Sequence, residues 1–213
     1  MKYKLKYPEL ETKIYYLTSE EGGRRSAVYS GYRGQFHYDG KCYDAGQEFI
    51  NKDFCEPGET VKVFLQTLSP NNHLGKFFVG KTFEIREGIQ IVGKGKVTMV
   101  INPNFYNDNV EKNLETMLFE KMLNKSYEIT DEIISNSEKY INFLKKCRKI
   151  IFEYKNNGGT QQNAFESIFC LYNLYNDRNM ENKKYLVEEI LDMVVGFVGN
   201  KKMLIWEEYL NAK

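Results

Sequence analysis

IYYLTSEEGGRRSAVYSGYRGQFHY, residues 14–38, is the stretch on which the fold of this chain turns. Its first five residues, Ile14 to Thr18, form a β-branched and aromatic run of strand character. Glu21-Gly22-Gly23 breaks that run as a tight turn. Arg24, Arg25 and Arg33 then share a short β segment with Tyr29, Tyr32, Phe36 and Tyr38. Cations interleaved with aromatic rings suit an anionic backbone or a protein surface. An arginine paired with a carboxylate across the sheet, with the tyrosines packed, is the purely structural reading. Composition alone leaves both open.

Outward from this stretch the β signal continues for about a hundred residues. TVKVFLQTL at 60–68, KTFEIRE at 81–87 and KVTMVI at 96–101 read as strands. In the first of these, Val61, Val63, Leu65 and Thr67 share one side, and Lys62, Phe64 and Gln66 the other. Turn signals at Asp39-Gly40, Glu56-Pro57-Gly58 and Glu87-Gly88 separate the runs, a spacing typical of a small barrel or sandwich. Three of the four prolines and 12 of the 16 glycines precede residue 103, and no proline follows Pro103. From about Asn107 the apolar period becomes helical, beginning with Leu114, Met117, Leu118 and Met122. A second helix opens at Thr130 with first-turn acids Asp131 and Glu132 and stops at Gly158-Gly159. Its expected stripe includes Ile133, Ile134, Tyr140, Ile141, Leu144, Cys147, Ile151 and Tyr154. Thr160 caps a third, with Phe165, Ile168, Phe169, Tyr172 and Tyr175 expected to be buried. A fourth carries Leu186 through Val198, followed by a tail with Leu204, Ile205 and Trp206. The fold class expected is α+β in two domains, a β-barrel over 1–103 and a bundle of four to five helices over 104–213.

Charge and composition exclude several functions. Thirty basic and 29 acidic residues give a net charge of +1, which is not the global polycation that holds nucleic acid by bulk electrostatics. Residues 1–103 carry 15 basic and 12 acidic groups, the remainder 15 and 17, so neither part dictates a partner by charge. The start, MKYKLKYPELETK, lacks the apolar core of a signal peptide, and the apolar run at Met193–Val198 is far short of a bilayer span. A cytoplasmic protein without membrane contact is expected. Cys42, Cys55, Cys147 and Cys170 stand far apart, with only His37 and His73 to complete a metal site, so free thiols and no metal are expected. Gly93-Lys94-Gly95-Lys96 lacks phosphate-loop spacing and precedes a strand; it reads as a turn or bulge. Asp192, inside an apolar run, is the one acid whose setting invites a proton-transfer role, although a satisfied structural carboxylate is the more frequent outcome. No cofactor and no enzymatic activity are expected.

Residues 14–38, then PGETVKVFLQTLSP (57–70), then FEIREGIQIVGKGKV (83–97), resemble in order the C-terminal β-barrel, the third domain, of bacterial elongation factor Tu. The corresponding pattern runs Y-x-L-x-x-x-E-G-G-R-H-T-P, Y-R-P-Q-F, P-G-D/E, I-R-E-G-x-x-x-V-G-x-G. The resemblance implies a six-stranded antiparallel barrel of the kind found in stand-alone elongation-factor-like proteins. In the factor this barrel helps hold the T-stem side of aminoacyl-tRNA, so the resemblance places Gln35 and Glu87 on the tRNA-facing region, with Arg33 and Arg86 the matching motif arginines. Arg25 stands for the motif histidine and Gly34 for a proline, and the segment 37–59 departs from the factor as a loop of its own. The GTPase and middle domains have no counterpart in these 213 residues, so a working elongation factor is not expected.

The helical half is similar to small all-helical immunity proteins of contact-dependent and polymorphic toxin systems. The two resemblances together imply a non-enzymatic, toxin-neutralising protein with a cognate toxin domain as partner. Some such toxins act on tRNA and use elongation factor Tu, so the barrel would imitate that factor's surface as a decoy. The alternative is an accessory of translation that binds tRNA through the basic face. In either case Arg24, Arg25, Arg33, Gln35, Arg86 and Glu87 are the candidate contact residues.

Overall fold

A computed structural model describes residues 3–176, 180–196 and 205–206. Their strands are β1 (Leu10–Tyr16), β2 (Val28–Tyr29), β3 (Gln35–Tyr38), β4 (Lys41–Phe49), β5 (Phe54–Cys55), β6 (Thr60–Thr67), β7 (Thr82–Glu87) and β8 (Gln90–Val100). The helices are α1 (Leu114–Tyr127), α2 (Asp131–Ser135), α3 (Ser137–Asn156), α4 (Gln161–Tyr175) and α5 (Glu181–Val195). The chain divides into two compact units, Met1–Glu111 and Lys112–Lys213.

Six strands close an antiparallel barrel in the order β1-β6-β4-β3-β7-β8, with β8 returning to β1. Closure removes the exposed strand edge that a sheet of this size would otherwise present. The alternation expected in β6 is realised: Val61, Val63, Leu65 and Thr67 all face the interior, where Leu10, Ile14, Phe36 and Ile85 meet them. Phe64, on the opposite side, is buried as well. Tyr16 crosses the interior and donates its hydroxyl to Gln47 Oε1 at 2.5 Å.

Two expectations are corrected here and a third is narrowed. Residues 37–59 are not a loop: Asp39 (φ 48°) and Gly40 (φ 73°) make the positive-φ pair of a tight hairpin turn, and β4 follows as a full barrel strand. Gly93–Lys96 lies inside β8 beside a register shift opposite Ile85/Arg86, so of the turn or bulge expected there the bulge is realised and the turn is not. A Cβ on Gly95 would stand 2.2 Å from the Phe83 ring, so glycine there makes room for an inward aromatic. The barrel unit also extends eight residues past the expected boundary at 103. Phe105 stacks on Phe77 at 5.8 Å, and both are fully buried in the barrel's aromatic cluster. His73 sits in that cluster with 0% exposure, its Nδ1 2.6 Å from the Tyr38 hydroxyl.

In the second unit the caps set the helix starts. Asn113 accepts from Thr116 N, Thr130 from Ile133 N, Asn136 from Lys139 N and Thr160 from Asn163 N. Asn136 splits the single helix expected from Thr130 into α2 and α3. Ile134 and Ile141, assigned to its buried stripe, are exposed. α4 packs on α1 and α5, and Tyr175 of α4 meets Ser126 of α1 at 2.5 Å. Phe165, Phe169 and Tyr172 are only partly buried; they stack on one another at 5.4 Å along α4. Val198 and Leu204 lie outside the described residues, while Ile205 is buried and its carbonyl accepts from Lys155 Nζ at 2.9 Å.

Candidate interaction site

The turn after β1 is built by its own side chains. Glu21 accepts from Thr18 N and from the Tyr15 hydroxyl, each at 2.9 Å, and its own N–H bonds Thr18 Oγ1. These bonds hold its carboxyl below the ordinary range. Gly23 packs so tightly on Leu17 that a Cβ would lie 2.1 Å from the Leu17 carbonyl oxygen. Gln90 Nε2 donates to the Gly22 and Gly23 carbonyls at 2.7 and 2.9 Å, tying the β7–β8 hairpin to this turn.

Arg24 emerges from the turn onto that hairpin. Its guanidinium lies 5.5 Å from the Tyr32 ring centroid and ion-pairs with Glu87. The Tyr32 hydroxyl donates to the same carboxylate at 2.7 Å, and burial together with this acceptor pushes its pKa upward. One residue back, Arg86 reaches Glu84 through Nε at 2.7 Å, and His37 Nδ1 stands 3.2 Å from the same carboxylate. Gln35 is directly opposite Arg86 in the β3–β7 register, with its Oε1 buried and unpartnered. Four of the six candidate residues thus form two direct pairings, Arg24 with Glu87 and Gln35 opposite Arg86. Arg25 and Arg33 are exposed and make no ion pair or side-chain hydrogen bond among the described residues.

Sequence reasoning did not place Glu84, Gln90 or Phe54 at this end of the barrel. Glu84 was legible in principle, since a residue two before Arg86 on a strand shares its face. The other two needed the tertiary pairing. β2 and β5 form a separate two-stranded ribbon that sets Tyr29 against Phe54, ring centroids 5.9 Å apart and both exposed. Ile89, at the hairpin tip, is 98% exposed.

Residues 5–101 match the family model of the elongation factor Tu C-terminal domain. The match covers the barrel, just under half of the chain. The matched stretch takes in all eight strands and ends at Ile101. An elongation factor Tu C-terminal domain is itself non-catalytic.

Elsewhere, among the described residues no three His, Cys, Asp or Glu side chains group to hold a metal ion. The cysteines are free, Cys42 exposed and the other three buried; burial raises the thiol pKa of Cys55 to about 11 and of Cys147 to about 12. Asp192, expected half-buried, is exposed on α5 between buried Leu191 and Met193. Neighbouring apolar groups raise its carboxyl, but no described side chain bonds or ion-pairs with it, as a proton relay would require. No described helix is long and apolar enough to cross a membrane.

Proposed function

We propose that this is a non-enzymatic binding protein of the immunity type, whose barrel offers an elongation factor Tu-like surface to a protein partner, a cognate toxin domain. The observation that carries this reading is the internal neutralisation of the basic face. Arg24 is matched by Glu87 and Arg86 by Glu84, leaving Arg25 and Arg33 exposed and without an ion pair among the described residues, while the Tyr29 and Phe54 rings are exposed as well. Two uncompensated cations on this face are few for holding a phosphate backbone there, whereas Arg and Tyr next to apolar surface are the usual anchors of protein interfaces. The helical unit's resemblance to immunity proteins supplies the toxin class of partner.

The test captures partners of the tagged full chain from its own cells, with and without ribonuclease, beside an Arg25→Glu/Arg33→Glu variant. The expected result is a toxin domain retained through ribonuclease and lost with the double variant. Recovery of tRNA or translation proteins that disappear with ribonuclease would replace this reading by the translation-accessory one. In that case binding should weaken with salt at a log–log slope of about 2, set by two neutralised phosphates.

A further inference from the structure

On the outer wall of the barrel, lysines stand opposite one another across three strands. Lys13 of β1 faces Lys62 of β6 on one side and Lys96 of β8 on the other. Two residues along, Lys94 of β8 faces Tyr15. Neighbouring strands are about 4.8 Å apart, so three ammonium-bearing positions fall within about 10 Å. Like charges placed directly opposite in a sheet are destabilising. None of these four lysines has an ion pair or side-chain hydrogen bond among the described residues.

The surrounding carboxylates form no ion pair with them, although the Lys94 charge helps hold the Glu21 carboxyl low. Glu84 lies directly across from Lys94 but is engaged by Arg86 and His37. Asp39 is bound by Lys81 at 2.6 Å, Glu21 by Tyr15 and Thr18, and Glu11 by the Thr98 hydroxyl at 2.9 Å. Lys13, Lys94 and Lys96 line a cavity of about 550 Å³, together with Tyr15, Thr60 and Thr82. That volume is the size of a small-ligand site.

We propose that this cavity binds a compact anion carrying two or more phosphate groups, held by Lys13, Lys94 and Lys96 with Lys62 at its margin. Charge complementarity argues for phosphate, which the point charge of a lysine ammonium recognises well. The ring of carboxylates argues for compactness. Glu84 and Asp39 bound the site toward β7 and β3, and Glu11 and Glu21 bound it along β1, so a long polyanion would run into negative charge at either end. Inorganic polyphosphate and the phosphate chain of a nucleotide share this chemistry.

Titration calorimetry of the full chain with inorganic tripolyphosphate, at low and at moderate salt, tests the proposal. Saturable one-to-one binding is expected, about tenfold or more weaker in a Lys13→Gln/Lys96→Gln variant, the scale of losing a charge-assisted contact. The free variant should melt no lower than the wild type, because the substitutions relieve like-charge contacts. A parallel titration with ATP separates the sources: tighter binding than tripolyphosphate assigns the site to nucleotides, equal binding to the phosphate chain alone. Absence of saturable binding, or equal binding by the variant, overturns the proposal. So does a 20-nucleotide RNA that binds through Lys13 and Lys96 while tripolyphosphate fails to displace it.

Discussion

A single buried imidazole shows how the barrel's aromatic interior translates into solution behaviour. His73 is enclosed by Tyr38, Tyr43, Phe77 and Phe105, and its Nε2 is buried without a hydrogen-bond partner. Burial, aided by the nearby Lys76 charge, lowers its pKa to about 4 from an ordinary 6.5. The unfolded chain therefore binds a proton between these values and the folded one does not, so stability rises with pH across that window and is lost as pH falls through it. A pKa difference of one corresponds to about 1.4 kcal/mol, so acidification from pH 7.5 to 5 removes about 2 kcal/mol of stability through this residue. Glu9 acts in the opposite sense above its ordinary range, since burial raises its carboxyl and the folded form takes up its proton more readily than the unfolded chain. Urea midpoints measured between pH 5 and 7.5 should fall with acidity in the wild type. In His73→Asn, which keeps an acceptor toward Tyr38, the baseline should be lower and the dependence much flatter. An unchanged slope in the variant would mean that another group carries it.

At the scale of elements, the boundaries depend on residues that compete for the backbone. The apolar period from Thr130 to Tyr154 reads as one helix because periodicity does not register a polar residue that interrupts it. Asn136 does interrupt it: its backbone is extended at φ −111° and ψ 107°, and its side chain accepts from Lys139 N at 3.0 Å to begin α3. Asn136→Ala removes that cap, and a loss of about 1 kcal/mol is expected from chemical denaturation of the full chain. A stability within error of wild type would show that the start of α3 is set by packing instead. The barrel was more legible than the bundle. Its turns carry explicit glycine and proline signals, and the ordered motifs around Gly22-Gly23, Tyr32-Arg33 and Arg86-Glu87 fixed the fold before any contact was known. β4 was not legible because Asp44, Gly46, Gln47 and Glu48 interrupt its strand character, although Asp39-Gly40 already marked the hairpin that leads into it. The site was legible only in part. Motif positions identified Arg24, Gln35, Arg86 and Glu87, but no sequence pattern reveals that Arg24 is neutralised by a residue 63 positions away. Nor does strand periodicity show that Lys13, Lys62 and Lys96 stand in one row, which needs the register of three strands.

For the whole molecule, the decisive fact is that each unit has its own means of burying apolar surface. In the first, the six-stranded barrel closes on itself, so no strand edge needs another segment to cover it. Its aromatic cluster runs from Phe36 through Phe77 to Phe105, and Tyr106 seals it before the unit ends at Glu111. A fragment cut at 103, at the last proline of the sequence, would lose Phe105 and Tyr106 and expose the Phe77 side of that cluster. A fragment of residues 1–111 keeps both. The longer fragment should therefore refold alone with a cooperative thermal transition and dispersed backbone resonances. The shorter one should be less stable by about 3–5 kcal/mol, the scale of deleting one large buried aromatic side chain. Denaturation of the two fragments side by side measures this difference directly. Equal midpoints would mean that the Phe77–Phe105 stack adds nothing to the barrel, and failure of residues 1–111 to fold would mean that the barrel depends on the helical unit for its stability.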